Sequence, residues 1–407
     1  MKIGVMGHYF IEWTGGFDFL RMTLDSLLAE VDDSVEIHLL LPLRGPRLSV
    51  RLFARRVRSL LFKRGPNYPS SEAVLAACDE LDKRIRLAVI DRGTTPLASY
   101  CRRHSIDVLL PSTYELPPSI KAPWIAYLGD FQHKHLPHFF TAKEQVSRDA
   151  HFAHILNVAP AVIVNSRTVA EEAAEFYPGH SSRIVALPFS ADVPRIQPSE
   201  AVQSCRKYGI TGTFFMVCNQ FWIHKDHATA FRAFAVLCRV RPDLTLVCTG
   251  EPSDPRDPQH TTRLLHLAQS LGIADKLKIL GVIPKADQLG LLTACAAVVQ
   301  PTLCEGGPGG GVVFDAVGLG VRSVVSDLRV NLELDEPTVR FFKAGDDASL
   351  AEQMRSILTE PAPLIPTDVL IAQGRQRRKA CGGALFEAIH HAMGAKPAVR
   401  RGEVVPR

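Results

Sequence analysis

Two acids bracket a run of glycines in this chain: Glu305 stands just before Gly306 to Gly311, and Asp315 follows in the next apolar stretch. A loop without β-carbons leaves backbone N–H groups open to a ligand. The helix that follows adds the positive end of its dipole, so the two together suit an anion such as a diphosphate. The carboxylates would repel that anion if aimed at it. They serve better as acceptors for hydroxyl groups on either side of it, where a nucleotide sugar carries its ribose and its transferable sugar. The alternative is a glycine-rich turn in an ordinary α/β domain, with Glu305 and Asp315 as solvated caps. Three consecutive glycines after Pro308 exceed what such a turn needs.

Other residues fit the same chemistry. Lys225 follows the apolar run Phe214 to Cys218, where a diphosphate would need a cation. Gly15 and Gly16 lie between the first strand and the first helix, which lets backbone approach a phosphate or simply makes a tight turn. Asp130 and His133 come just past the strand Ile125 to Leu128, where doubly wound sheets bind ligands. They are candidates for contacting the transferred sugar or activating an acceptor hydroxyl, whereas His135 and His138 read as surface residues. Cys304, beside Glu305, reads as packing, because no patterned His or Asn accompanies it as a nucleophile would require.

The elements that must position these groups follow from hydrophobic period. Short apolar runs at Lys2 to Met6, Val35 to Leu41, Arg86 to Ile90, Val108 to Pro111, Ile125 to Leu128, Ala161 to Asn165 and Ile184 to Leu187 alternate with helical stretches, the first from Phe17 to Ala29. That is the pattern of a parallel doubly wound sheet. Ser166 is placed to cap the helix that runs to Phe176. After a proline-rich hinge at 187–200 a second alternating unit begins at Phe214 and ends near Leu358, followed by two helical segments, Val369 to Cys381 and Leu385 to Met393.

Composition sets the frame. A chain of 407 residues with 46% hydrophobic and 22% charged residues predicts two soluble globular domains. The start shows no cationic and apolar leader pattern, and no run of apolar residues is long enough to span a bilayer, so a cytoplasmic protein is expected. Nine scattered cysteines without ligand spacing predict reduced core thiols and no metal site. The net charge of +5 is unevenly spread: Arg44 to Arg64 holds eight basic residues and no acid, interleaved with apolar residues at helical spacing. That segment predicts peripheral contact with an anionic membrane at its inner face, a hold on an acidic or lipid-diphosphate acceptor, or a solvated helix, and a nucleic-acid role is disfavoured by its few aromatics.

Taken together, these residues resemble the family-four glycosyltransferases of the GT-B fold, a retaining, metal-independent group that includes many bacterial mannosyltransferases. The likeness rests on Gly15-Gly16, on NQFWIHKDH ending in Lys225 and His227, on GVIP at 281–284, on PTLCEGGPGGGVVFDAVGLGVRSVVSD, and on GDFQHKHLPHFF with VIVNSRTVAEE. It implies an α/β chain of two doubly wound Rossmann-like domains facing a central cleft. Residues 1–190 would form the acceptor side, 191–372 the nucleotide-sugar side, 373–395 helices returning to the first domain, and 396–407 a disordered tail.

Glu305 and Lys225 by the same resemblance, and Asp130 and His133 by their place just past a strand, are the candidate catalytic residues. Gly15, Gly16, Asn219, Gln220, Lys225, Val282, Ile283, Glu305, Asp315 and the amides of Gly309, Gly310, Gly311 and Val312 hold the donor. Gly16 would meet the diphosphate, Val282 and Ile283 the base, Glu305 the sugar hydroxyls and Asp315 the ribose. The implied reaction moves a hexosyl group from a UDP- or GDP-sugar, mannose favoured, to a hydroxyl of a glycan or lipid-linked glycan, with retention and with no cofactor besides the nucleotide sugar. The sequence departs from the family in having nine rather than seven residues between the two acids, an aspartate as the second acid, Gln220 in place of an arginine, and Gly129 in place of a histidine. A non-catalytic nucleotide-sugar or glycan binder of the same fold is the alternative. A nicotinamide-dependent oxidoreductase is the other alternative, disfavoured because neither G-x-G-x-x-G nor a ribose-binding acid about twenty residues later follows the first strand.

Overall fold

A computed structural model of the chain describes residues 1–12, 14–32, 34–44, 78, 81–91, 93–192, 196 and 198–394. The basic segment expected to touch a membrane lies outside the described residues beyond Arg44, as does the tail 396–407.

The first half runs β1 (Lys2–Met6), α1 (Thr14–Glu30), β2 (Glu36–Arg44), β3 (Ile85–Asp91), α2 (Thr94–His104), β4 (Val108–Ser112), β5 (Trp124–Leu128), the short α3 (Gln132–His135), α4 (Ala142–Val158), β6 (Ala161–Val164), α5 (Arg167–Phe176) and β7 (Arg183–Ala186). The second runs α6 (Pro198–Lys207), β8 (Phe214–Cys218), α7 (His227–Cys238), β9 (Thr245–Thr249), α8 (His260–Ser270), β10 (Leu277–Gly281), α9 (Lys285–Ala294), β11 (Ala297–Gln300), α10 (Gly310–Gly318), β12 (Ser323–Ser326), β13 (Val339–Phe342), α11 (Asp347–Thr359) and α12 (Thr367–Gly394). Strands β4, β5, β6, β11 and β12 are buried along their whole length, as the near-continuous apolar runs of a parallel sheet covered on both faces should be.

Two parallel sheets result, in the orders β3-β2-β1-β4-β5-β6-β7 and β10-β9-β8-β11-β12-β13. In each, strand order reverses direction at one point, between β1 and β4 in the first sheet and between β8 and β11 in the second. Crossover helices leave to opposite faces there, and a crevice opens beyond the carboxyl ends of the two strands.

Two helical expectations are corrected. Helix α1 begins at Thr14 rather than Phe17, so Gly15 and Gly16 belong to its first turn and not to a preceding loop. The two segments expected at the C-terminus form the single helix α12 of 28 residues. Gly382 does not break it; a Cβ there would overlap the Ser26 carbonyl oxygen, so the glycine is what lets α12 cross α1 at close range. Beyond that crossing, Cys381, Leu385, Ala388, Ile389 and Ala392 pack with Ile3, Leu20 and Leu24 in the core of the first domain.

The domains touch through polar groups at the start of α5. Ser166 Oγ accepts from Val169 N (3.1 Å), the cap expected from sequence, and donates to the Gly306 carbonyl (3.0 Å). The Glu333 carboxylate, from the second domain, accepts from Arg167 N (3.1 Å), Thr168 N (2.7 Å) and Thr168 Oγ1 (2.6 Å). A carboxylate on open first-turn amides is favourable because it meets the positive end of the helix dipole. Arg329 and Glu171 add an exposed ion pair beside it.

Candidate active site

The loops that follow β8 and β11 carry Lys225 and Glu305, and because those strands are neighbours at the switch point, residues eighty apart in sequence meet. Lys225 Nζ donates to Glu305 Oε1 in an ion pair whose side chains are 14% and 11% exposed. Asn219 Nδ2 donates to Gln300 Oε1 (2.7 Å), which orients the Gln300 amide so that its Nε2 donates to Glu305 Oε1 (3.1 Å). Both contacts fall on one carboxylate oxygen. The His224 carbonyl accepts from Leu303 N (2.8 Å) and Thr302 Oγ1 (3.3 Å), stitching the two loops together. Gly310, at φ 67°, has its missing Cβ 3.0 Å from Gln300 Nε2 and 3.4 Å from Glu305 Oε1, so the glycine makes room for the carboxylate over the loop. Glu305 and Asp315 are thus partly buried and ion-paired, which rules out solvated caps.

The amides expected to hold phosphate are not all open. Gly309 N donates to Asn331 Oδ1 (2.8 Å) and Gly310 N to the Gly307 carbonyl (3.2 Å). That leaves the first-turn amides of Gly311 and Val312, at the positive end of α10, for an anion. Asn219 and Gln220 have structural partners too: Gln220 Oε1 accepts from Glu251 N (2.8 Å) and holds the loop after β9. Val282 is exposed at the end of β10, while Ile283 packs against the domain interior.

Asp315 meets a residue that was not singled out from sequence. Lys285 Nζ lies 2.7 Å from Asp315 Oδ2 and 3.1 Å from Asp18 Oδ2, on α1 of the first domain. Burial pushes the Asp315 carboxyl up, and the neighbouring ammonium opposes that shift. A signal did exist: Lys285 is the first residue of α9, and a cation at the positive end of a helix is unfavourable without a carboxylate nearby.

Across the cleft, the Glu305 loop comes against the loop after β5. A Cβ on Gly306 would overlap the Gly129 carbonyl oxygen and come within 3.1 Å of Asp130 Cβ. Asp130 Oδ1 accepts from Gln132 N (3.0 Å) and faces Arg148 at 3.7 Å, with the Asp130 side chain 36% exposed. His133 is placed differently from the expectation that it touches substrate. It is buried, its Nε2 bonded to Asp149 Oδ1 (2.9 Å), and it shares that carboxylate with Lys134 (2.7 Å) and Tyr177 (2.8 Å). Burial alone would raise Asp149, but the bonds from Lys134, Tyr177 and His133 outweigh it and bring the carboxyl down to about 2. His135 is exposed, as expected, and pairs there with Glu172 (2.8 Å). Cys304 is buried and burial pushes its thiol up, so it stays a thiol and not a nucleophile.

Behind the ion pair, Arg256 grips Asp254 through Nε and Nη2 (both 3.1 Å), donates to His224 Nδ1 (3.1 Å) and reaches Gln132 Oε1 of the first domain (3.0 Å). Burial, then the charges of Lys225 and Arg256, push His224 down to about 2; burial pushes His227 down to about 3. Both imidazoles are therefore neutral in the folded protein, while the unfolded chain protonates them near the ordinary value. The contribution to stability is complete above about pH 6.5 and is lost as pH falls, by about 1.4 kcal/mol per pH unit for each histidine. The urea midpoint should drop from about pH 7.5 to about pH 5.5, and His227→Phe should make that drop shallower. Neither ring nitrogen of His227 has a partner, and its ring stacks on Phe221 at 4.2 Å, which a phenyl ring can reproduce. An unchanged slope in the variant would show that His227 does not lie buried and neutral.

Among the described residues no group of three or more His, Cys, Asp or Glu is arranged to hold a metal ion, the cysteines form no disulfide, and no helix is long and apolar enough to cross a membrane. Residues 207–377 match the family model described as glycosyl transferases group 1. No curated protein matches the chain. Among solved structures, sucrose-phosphate synthase from Thermosynechococcus elongatus is 16% identical, with 96% of this chain and 100% of that one aligned at a TM-score of 0.64.

The fold is GT-B. Two further solved structures share the fold. Anabaena Alr3699/HepE, solved in complex with UDP, is 15% identical over 96% of this chain and 100% of that one, with a TM-score of 0.62. WaaG, a glycosyltransferase involved in lipopolysaccharide biosynthesis, is 13% identical over 97% and 98%, with a TM-score of 0.56. The loop that carries Glu305, paired with Lys225, meets the loop of the first domain that carries Asp130.

Proposed function

We propose that the protein is a glycosyltransferase that moves a hexosyl group from a nucleotide diphosphate sugar to an acceptor hydroxyl. The observation that carries this is the Lys225–Glu305 pair at the carboxyl ends of the two switch-point strands, held against the Asp130 loop of the other domain. Lys225 and the amides of Gly311 and Val312 would take up the charge that develops on the diphosphate oxygen as its bond to the sugar breaks, the electrostatic term that is usually largest in such chemistry. Glu305 then faces the sugar hydroxyls with the oxygen that Lys225 and Gln300 leave unused. The acceptor oxygen forms the new bond to the sugar carbon, and its proton passes to the departing diphosphate or to Asp130. His133 would act through Asp149, holding the loop that carries Asp130, and not by touching substrate. Retention of configuration and a mannosyl donor are supported by the family resemblance. The HepE structures in complex with UDP, with UDP and glucose, and with UDP-glucose make UDP-glucose the first donor to try. The basic segment from Arg44 to Arg64 fits a lipid-linked acceptor presented at an anionic surface.

The test is a panel of UDP- and GDP-hexoses scored both for thermal stabilisation and for release of free nucleotide with and without glycan acceptors. One donor should stabilise the protein and be turned over. Stabilisation with no release under any condition would replace the transferase with a non-catalytic binder, an outcome for which Gln220, an amide in place of an arginine, gives a physical reason.

A further inference from the structure

Of the three charged groups that meet where α1, α9 and α10 converge, two are carboxylates and one is the Lys285 ammonium. Asp315 is short, its side chain is 16% exposed, and one of its oxygens is already covered by that ammonium. The acid expected to take ribose hydroxyls therefore does not present a bare carboxylate. It presents an acceptor and a donor side by side, with Asp18 of α1 on the far side of the ammonium and the exposed Val282 three residues before Lys285 in the chain. Each hydroxyl of a vicinal diol has one hydrogen to give and lone pairs to fill. A carboxylate alone answers only the hydrogens, whereas a carboxylate beside an ammonium answers both. We propose that Lys285 is a specificity-determining residue of the donor site, reading the ribose diol together with Asp315 and discriminating ribonucleotides from 2′-deoxyribonucleotides.

This rests on the nucleotide-sugar function proposed above and deepens it. The position supports the role independently of charge. Lys285 opens α9 with no side-chain cap, so its ammonium is repelled by its own helix and is held by Asp315 and Asp18. Burial would lower the ammonium's proton affinity, but the two carboxylates outweigh it and raise it, so Lys285 stays a donor. Asp18 belongs to the first domain, so when a ribose draws on Asp315 the ammonium keeps its second carboxylate. A site that hydrogen-bonds a substrate hydroxyl disfavours the analogue lacking it, and with Asp315 16% and Lys285 43% exposed and already paired to each other, the discrimination is smaller than a fully buried site would give.

Isothermal titration of UDP against 2′-deoxy-UDP, or of the GDP pair if the protein binds guanine nucleotides, tests this. The wild type should prefer the ribonucleotide by roughly 30-fold or more. Lys285→Met should cut that preference to below about 5-fold, mostly by weakening the ribonucleotide, while Asp18→Asn should keep it. Lys285→Gln, which retains a donor without charge, should fall between and replaces the methionine variant if that one does not fold. A wild-type preference retained in both lysine variants would overturn the proposal. So would an equal loss in Asp18→Asn, which would make Lys285 a strut between domains. A wild type that binds neither UDP nor GDP would instead remove the nucleotide-sugar function itself, and this inference with it.

Discussion

Lys225→Ala should lower kcat/KM by about 10²- to 10³-fold, the range seen when one preorganised charge is taken from a developing oxyanion. The loss should appear in nucleotide affinity as well, because the ammonium meets the diphosphate in both ground and transition states. Two effects are separable. Lys225 is 14% exposed and Glu305 11%, so removing the lysine also leaves a carboxylate poorly compensated, a cost that breaking a buried pair can bring to about 3–5 kcal/mol and that partial exposure here reduces. Comparing Lys225→Ala, Glu305→Gln and the double variant isolates the coupling. Glu305→Gln should lower kcat more than nucleotide affinity, since it keeps the shape and one acceptor but loses the charge that faces the sugar. Lys225→Arg should rescue poorly, because a planar fork cannot replace a point charge set between Glu305 and a phosphate. Wild-type kinetics for Lys225→Ala, with a folded protein by circular dichroism, would remove the residue from the site.

Gly306→Ala should be as damaging, although it changes no charge. A Cβ there overlaps the Gly129 carbonyl, and both partners are backbone, so no side chain can move aside. The domains must part at that point, breaking the Ser166–Gly306 hydrogen bond and drawing the Glu305 loop away from Asp130. Misplacing catalytic groups by about 1 Å can cost about 100-fold in rate, which sets the scale expected for kcat. Small-angle scattering should show a larger radius of gyration for the variant. Gly307→Ala is the control, since its Cβ would meet only Asn165, whose nearest atom is Cβ at 3.3 Å, a contact a small adjustment relieves. If Gly306→Ala matched the wild type in both rate and dimensions, the tight approach of the two loops would have no part in turnover.

Much of this arrangement was legible in the amino-acid sequence because its signals are local. Fully buried strands must be continuous apolar runs, and those runs alternate with helical ones, so both sheets could be read before their order was known. Glycines before a helix, with an acid at each end, marked the stretch around Glu305 for the same reason. Even the Ser166 cap was visible, being set by its own next three residues.

What the sequence could not determine is which charges meet across chain distance. Lys225 reads as a cation just past a strand, with no partner legible beside it, and pairs with Glu305 only because β8 and β11 are neighbours at the switch point. His133 reads as a loop residue poised for chemistry, and packing turns it inward onto Asp149. Lys285, Arg256 and Glu333 carry no motif; they matter because the second domain delivers them to Asp18, Gln132 and the start of α5. The break expected between Cys381 and Leu385 proved to be where Gly382 lets two helices touch. Local period and turn chemistry depend on neighbours in the chain and are written in it. Ion pairs and close backbone approaches depend on strand order and domain contact, which only the folded chain supplies.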